Sequence, residues 1–229
     1  IKPGKRPIGT KTLAYVNSHN GLAPNPQEDP NDIHKNMCDD NVITVPADSV
    51  FKGSWKISEK NEVTVSKGNT YSINTLLKES KYADRFANGI FTHSYLTVLT
   101  YHRYHTPVRG TILETKLLTG DVFANVLRDE KGNLGATDGT DYQFTQERGL
   151  LVLDSPIGLV ACLPIGMDVI SSVNFTVDEG DYLNKGDNFG NFLFGGSDMI
   201  MLFERDDIDI KVNELDKLYK LGQVFGIAK

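Results

Sequence analysis

Short runs of β-forming residues, separated by turn residues, recur along the chain and constrain its fold more than any other feature. This spacing is typical of a mostly β protein. The runs are Val42–Val45, Glu62–Val65, Gly110–Leu113, Leu150–Leu153, Val169–Val177 and Met199–Phe203. Helical periodicity is good in only two segments, Ser72–Phe86 and Glu214–Leu221, so we predict few helices. Together these patterns favour a single α+β domain over residues 41–229.

Residues 1–40 differ from the rest because they are rich in Pro, Asn, Asp and Gly and show little periodicity. They predict an irregular arm on the surface of the domain. The chain starts at Ile1 without a secretory signal, so we expect it to be part of a longer product with a further segment upstream.

The charge and hydrophobicity of the chain exclude some classes of function. The 229 residues include 24 Lys and Arg and 30 Asp and Glu, a net charge of −6. This mildly acidic balance argues against a nucleic-acid partner. No stretch of this sequence approaches the roughly 18 consecutive apolar residues of a membrane-spanning helix.

The histidine pair His102 and His105 is the first candidate for chemistry. A spacing of three places both side chains on one side of a turn or helix, whereas a strand would point them to opposite faces. A structural role and metal binding are both open, but a zinc site needs a third ligand, and neither a His-Glu-x-x-His motif nor a cysteine cluster is present.

Two further candidates lie near the ends of predicted strands. Gly195-Gly196-Ser197 separates two apolar β runs, and its glycines leave the backbone open to the serine hydroxyl. Asp48 follows Pro46-Ala47 after a strand. Each of these segments is also compatible with an ordinary turn. An Asp, a His and a Ser are nevertheless the components of a base-activated nucleophile.

The segment between these candidates has the turn pattern of a small barrel. Val177-x-Glu-Gly-x-x-Leu-x-Lys-Gly-Asp-x-x-Gly190 resembles the hammerhead barrel of biotinyl and lipoyl carriers. The chain lacks the Met-Lys-Met hairpin of those carriers, so the resemblance implies a scaffold rather than a carrier domain. The glycines are expected to form turns.

The chain as a whole resembles the phosphatidylserine decarboxylase family of pyruvoyl-dependent enzymes, from its first residues to about Phe203. A Tyr-His-Arg-x-His segment and a Gly-Gly-Ser segment about 90 residues apart are the most specific parts of this resemblance. The matching stretches are Lys2–Ile8, Val45–Asp48, Lys67–Ser72, Asn88–Phe91, Tyr101–His105, Glu147–Arg148, Gly180–Gly190 and Phe194–Ser197.

The resemblance implies a self-processing proenzyme with a hammerhead-like β-barrel core. Ser197 would attack the carbonyl of Gly196, and the cut would give a β chain of residues 1–196 and an α chain of residues 197–229. His105 would serve as the base and Asp48 would fix its tautomer, so Asp48, His105 and Ser197 form the implied self-cleavage triad.

The resemblance also implies the cofactor, the partners and the location. The cofactor is a covalent pyruvoyl group derived from Ser197, with no metal, and His102 assists decarboxylation. The substrate is phosphatidylserine, converted to phosphatidylethanolamine, or a free aromatic amino acid such as tryptophan. We expect membrane association through an upstream segment in the first case and a cytoplasmic protein in the second. A homodimer is also implied, besides the association of the cleaved chains.

Three departures from the family pattern bear on these expectations. Asp198 stands where Thr or Ser is common, and a carboxylate beside the nucleophile is expected to slow the cut. Pro164–Ile170 replaces a run of small residues, and Leu96–Tyr101 is similar to a soluble fungal branch that decarboxylates tryptophan. A non-catalytic relative and a zinc hydrolase are the remaining alternatives.

Overall fold

The computed structural model describes residues 36–65, 68–78, 80–97, 100–120, 126–128, 134–136, 144–166, 173–192 and 197–229. Within them the chain is mostly β, with helical residues at 36–38, a short α-helix, α1 (Ile73–Leu77), and a 3-10 helix at Ala83–Phe86. The strands are β1 (Val42–Thr44), β2 (Ser49–Lys56), β3 (Glu62–Thr64), β4 (Thr70–Ser72), β5 (Ile90–Leu96), β6 (Arg103–His105), β7 (Gly110–Leu118), β8 (Val126–Arg128), β9 (Leu134–Ala136), β10 (Arg148–Ser155), β11 (Gly158–Gly166), β12 (Val173–Phe175), β13 (Tyr182–Leu183), β14 (Asn188–Phe192), β15 (Ser197–Phe203), β16 (Ile208–Ile210), β17 (Leu218–Tyr219) and β18 (Val224–Ala228).

An eight-stranded antiparallel sheet forms the centre of the fold, with the order β13-β7-β10-β11-β15-β5-β2-β17. Two three-stranded sheets, β1-β18-β16 and β12-β14-β6, and two hairpins, β3-β4 and β8-β9, accompany it. The described part of the chain is therefore mostly β with few helices, as the sequence predicts. None of its sheets closes on itself, so the hammerhead-like barrel stays a prediction.

Strand β15 lies in the interior of the large sheet, between β11 and β5, and all seven of its residues are buried. Its sequence is a nearly continuous apolar run, which is the pattern of a strand covered on both faces. Successive side chains of a strand alternate between the faces. Met199, Met201 and Phe203 accordingly pack in one core cluster, and Ile200 and Leu202 in another.

We name the two faces of the large sheet by the residues that open β15. The Ser197 face carries the cluster that includes Leu96, Cys162 and Met199. The Asp198 face carries the cluster that includes Ile165 and Ile200, and α1 packs there. The sheet thus separates two cores, and neighbouring residues of β15 have their side chains in different environments.

The predicted helix over Ser72–Phe86 is confirmed only in part. The Ser72 hydroxyl accepts a hydrogen bond from the Thr75 amide at 3.4 Å and caps α1. The helix ends at Lys78, whose φ of 36° lies in the left-handed region. The Ala83–Phe86 turn then forms a separate 3-10 helix.

The predicted helix over Glu214–Leu221 is wrong, because this segment joins the edge of the large sheet. Asp216 adopts a φ of 60° and its amide donates to the Phe51 carbonyl at 3.0 Å. Leu218 then pairs with Val50 on β2. A helix this short is only marginally stable in isolation, so hydrogen bonds to a preformed sheet edge outweigh its periodicity.

The described end of the predicted arm contacts the body of the domain. Lys185 Nζ donates to the Asn36 carbonyl at 2.9 Å, and Arg109 pairs with Asp40. Residues 1–35 lie outside the described residues. The helices of the described segments are all too short or too polar to cross a bilayer.

Candidate functional site

Ser197 is the first residue of β15 and is fully buried. It pairs with Leu96 on β5 and with Gly166 on β11. Its Oγ has no hydrogen-bond partner among the described residues. Burying a hydroxyl without a partner costs about 1–3 kcal/mol, so the position is better explained by chemistry than by stability. Gly196, on the other side of the predicted cut, lies outside the described residues.

Asp198 points to the opposite face of the sheet from the Ser197 side chain. Asp198 and Ile200 are two residues apart on β15, so their side chains lie on the same face. Asp198 Oδ1 lies 2.6 Å from Nε2 of His93 on β5. Both side chains are well covered: 16% of the His93 side chain and none of the Asp198 side chain is exposed. The sequence did not indicate His93 as a partner of this aspartate.

The position of Asp198 removes the reason to expect slow self-cleavage. That expectation required the carboxylate to lie beside the carbonyl attacked by Ser197, but the sheet lies between the two side chains. A hydrogen-bonded partner also offsets the charge of the carboxylate. We therefore no longer expect replacement of Asp198 by Thr or Ser to accelerate the cut.

His105 is buried at the end of β6 and is held by the turn that contains Gly186. Its Nδ1 lies 2.7 Å from the Gly186 carbonyl, which can only accept, so Nδ1 carries the proton and Nε2 is left as the base. Nε2 lies 3.3 Å from the Tyr101 hydroxyl. Gly186 has a φ of +82°, which glycine adopts without strain, and the turn depends on it.

The surroundings of His105 favour the neutral imidazole that a base requires. Burial lowers its pKa below the ordinary value, and the charge of Arg103 acts in the same direction. The hydrogen bond to Gly186 and the charge of Asp187 oppose this shift without reversing it. His105 is thus available to accept a proton at neutral pH.

The rate of self-cleavage should therefore reach half of its plateau at a pH below about 6.5, the ordinary pKa of histidine. A lowered pKa keeps His105 neutral in more acidic solution, so the rate declines only when the pH falls through that lowered value. The measurement is the fraction of cut chain against time, on freshly synthesised protein between pH 5 and pH 9. A half-maximal rate well above pH 7 would contradict the assignment of His105 as the base.

His102 contacts the last residue of β14, Phe192, which precedes Ser197 by five residues in the sequence. The Phe192 amide donates to the His102 carbonyl at 2.9 Å, and the two rings meet edge to face at 6.4 Å. His102 Nε2 is buried with no hydrogen-bond partner among the described residues. Phe192 belongs to the same core cluster as Leu96, the residue opposite Ser197. The His102 ring therefore packs against the core cluster of the Ser197 face.

Asp48 lies near His105 through the backbone, but its carboxylate has other partners. The His105 amide donates to the carbonyl of Pro46, two residues before Asp48, at 2.8 Å. Asp48 Oδ1 accepts from the Leu221 amide and Oδ2 from Lys220 Nζ, both at 2.9 Å. The Gly186 carbonyl here performs the orientation that was expected of Asp48, whose place in a triad stays a prediction.

The histidine pair has no metal-binding arrangement around it in the described segments. No group of three or more His, Cys, Asp or Glu side chains comes together there. His102 and His105 instead occupy different surroundings, the first against Phe192 and the second against Gly186. The two side chains therefore do not share one set of partners.

The sequence also matches a known family over most of its length. The family model for phosphatidylserine decarboxylase matches residues 30–227. The chain belongs to the phosphatidylserine decarboxylase family. Three of its relatives are 29–30% identical to it.

These three relatives differ in the substrate that their names give. Phosphatidylserine decarboxylase proenzyme 2 of Oryza sativa subsp. japonica is 30% identical over 82% of this chain and 31% of its own length. The L-tryptophan decarboxylase of Psilocybe cyanescens is 30% identical over 72% of this chain and 40% of its own length. The phosphatidylserine decarboxylase proenzyme of Escherichia coli O9:H4 (strain HS) is 29% identical over 83% of this chain and 64% of its own length. The chain thus spans less than two thirds of the length of each of them.

Several partners of the site residues were not indicated by the sequence of this decarboxylase-family chain. Gly186 is part of a matching stretch, but it was interpreted only as a turn residue. Lys220 and His93 carried no signal at all, because each lies far along the chain from its partner. Tyr101 belongs to the histidine motif, but the motif alone indicates no role for its hydroxyl. The contacts of Gly186, Lys220 and His93 come from long-range strand pairing and chain packing, which local patterns do not report.

Proposed function

We propose that this chain is a self-processing, pyruvoyl-dependent decarboxylase that converts phosphatidylserine to phosphatidylethanolamine and CO₂. The observation that carries the proposal is the buried, unpartnered hydroxyl of Ser197 at the start of β15. It occurs in a chain that matches the phosphatidylserine decarboxylase family over residues 30–227. A serine at this point of a merely structural protein would be expected to have a hydrogen-bond partner.

In this proposal self-cleavage begins with a proton transfer from Ser197 to His105. His105 accepts the Ser197 proton at Nε2, and Oγ attacks the Gly196 carbonyl, so the peptide bond is replaced by an ester. Removal of a proton from the α-carbon of residue 197 then breaks the bond between Cβ and the ester oxygen. The Gly196 carboxylate leaves, and hydrolysis of the remaining enamine, through its imine form, releases ammonia.

The two products are expected to stay together, because the cut would not disturb the sheet. Strand β15, in the α chain, lies between β11 and β5, which both belong to the β chain. Lys220 of the α chain also pairs with Asp48 of the β chain. Association of the chains thus rests on the same hydrophobic core that folds the uncut protein.

The residues of the site fit a small carbonyl group at position 197. The unpartnered Oγ marks a place for a polar atom, and the Ser197 face supplies an apolar surrounding. A pyruvoyl group there would bond to the substrate amine and accept the electron pair released as CO₂ leaves. In this proposal His102 Nε2 gives a proton back to the substrate carbon, and His105 is the base for Ser197. Asp48, the third member of the proposed triad, would support His105 through the neighbouring Pro46 carbonyl, which accepts from the His105 amide.

A free aromatic amino acid such as tryptophan is the second candidate substrate. The chain is 30% identical to the L-tryptophan decarboxylase of Psilocybe cyanescens over 178 residues and 29% identical to that of Psilocybe cubensis over 183 residues. Both substrates present an α-amino acid, so the same chemistry serves them. The choice between them depends on the pocket wall and on any segment outside this chain.

The location and assembly follow from the substrate. With phosphatidylserine as substrate we propose that the protein associates with the membrane through an upstream segment, and with a free amino acid that it is cytoplasmic. We also propose that the chain forms a homodimer and that β12, β13 and β14 belong to a hammerhead-like barrel scaffold. These proposals rest on the family membership.

The substrate is tested by CO₂ release from phosphatidylserine vesicles and from free tryptophan under the same conditions. We expect release from the vesicles to exceed release from tryptophan by at least about tenfold, equivalent to 1.4 kcal/mol of transition-state binding. The Ser197→Ala variant provides the background rate for each substrate. Release from tryptophan alone would establish the second candidate, and release from neither by fully cut protein would refute both.

A further inference from the structure

The hydrogen bond between His93 and Asp198 lies directly behind the predicted cut, on the face of the sheet away from Ser197. The carboxylate is fully buried beside apolar residues of the same face, among them Ile165 on the neighbouring strand β11 and Ile200 two residues along β15. Replacing a buried pair of polar groups by apolar side chains of similar size is often neutral or stabilising. Stability alone therefore does not explain why this pair occurs here.

The predicted cut changes what holds the amino end of β15. In the uncut protein Ser197 is continuous with the chain before it and paired with Leu96 and Gly166. After the cut, residue 197 is a chain terminus, and a ketone replaces its backbone N–H. The ends of strands are where a sheet opens most readily. Asp198 then provides the first side chain that can hold this end in register.

We propose that the hydrogen bond between His93 and Asp198 anchors the new amino end of β15 and keeps residue 197 against the Ser197 face. The proposal rests on the proposed function. His93 belongs to the β chain and Asp198 to the α chain, so the pair joins the two chains one residue away from the cut. Both act as positioning residues, because their side chains lie on the other face from the reacting atoms.

If this hydrogen bond anchors the new chain end, its loss should loosen β15 in the cut protein but not in the uncut protein. Asp198→Leu removes the hydrogen bond and suits the apolar surroundings. Its effect is compared in the normal chain, which is cut, and in the Ser197→Ala background, which stays uncut. The readout is backbone hydrogen exchange in the peptide that covers residues 198–203, followed by mass spectrometry.

We expect Asp198→Leu to accelerate exchange in this peptide by at least about tenfold in the cut protein and by less than about threefold in the uncut background. Asp198→Asn can still hydrogen-bond to His93 and should retain protection in both. Glu114→Leu is the matched control: Glu114 is a buried carboxylate on β7 of the same sheet, hydrogen-bonded to Ser80. It should not accelerate exchange at residues 198–203 selectively.

Equal acceleration in cut and uncut proteins would show a plain structural role and overturn the proposal, as would no acceleration in either. His93→Phe, which leaves the sequence around the cut unchanged, is the second variant. If Asp198→Leu is not cut, the comparison is made with His93→Phe, and if that variant is not cut either, the pair acts before the cut and the proposal is wrong. An uncut parent protein would instead refute the proposed function, so the two failures are distinguishable.

Discussion

The Ser197→Ala variant is expected to remain a single uncut chain and to release no CO₂ above background. Without the hydroxyl there is no nucleophile for the Gly196 carbonyl, and loss of a nucleophile costs catalysis on the order of 10⁴- to 10⁶-fold. The fold should survive, because alanine removes a buried oxygen without a described partner. The free energy of unfolding should therefore stay unchanged or rise by up to about 3 kcal/mol. A denaturing gel, an activity assay and thermal unfolding measure the three effects.

Ser94→Ala is the matched control for this variant. Ser94 is a buried serine on β5 and pairs with Met199 of β15. It should be cut and remain active, because its hydroxyl lies one strand away from the predicted nucleophile. If Ser197→Ala were still cut after residue 196, the assignment of the nucleophile would be wrong.

The two histidines should separate when each is replaced by alanine. His105→Ala removes the base for Ser197 and should slow self-cleavage by roughly 10²- to 10⁴-fold. His102→Ala should be cut at nearly the normal rate, but its cut protein should release CO₂ slowly. Chain cleavage on a gel and CO₂ release per cut chain measure the two steps independently.

Arg103→Ala serves as the control, since Arg103 lies between the two histidines with its side chain exposed. It should affect neither step by more than a few-fold. An equal loss of cleavage in His102→Ala and His105→Ala would mean that the histidines share one task, contrary to their separate surroundings.

The β-rich fold could be predicted because strand formation leaves a local signature. The run Met199–Phe203 is apolar throughout, and it is the buried strand in the interior of the sheet. The glycines Gly180 and Gly186 were expected in turns, and both have positive φ values. The predicted helix over Glu214–Leu221 is wrong because part of this segment pairs with strand β2. Sequence periodicity does not report such a long-range contact.

The partners of the candidate site residues could not be predicted, because they depend on long-range pairing. The side chain of Asp198 was placed beside the reacting carbonyl on sequence distance alone, whereas strand alternation turns it to the other face. Its partner His93 lies on β5, which the sequence did not identify as a neighbour. Likewise, the Gly186 carbonyl contacts His105 only because β14 and β6 pair.

The central claim, that Ser197 converts itself into the prosthetic group, is tested most directly by the intact mass of the purified protein after denaturation. The prediction is two chains, residues 1–196 and residues 197–229. The smaller chain should be lighter than the same chain with an amino-terminal serine by the mass of one ammonia. That smaller chain should also react with a hydrazide, because it carries a ketone. A single chain of full mass, or a smaller chain that begins with an unmodified serine, would contradict the claim.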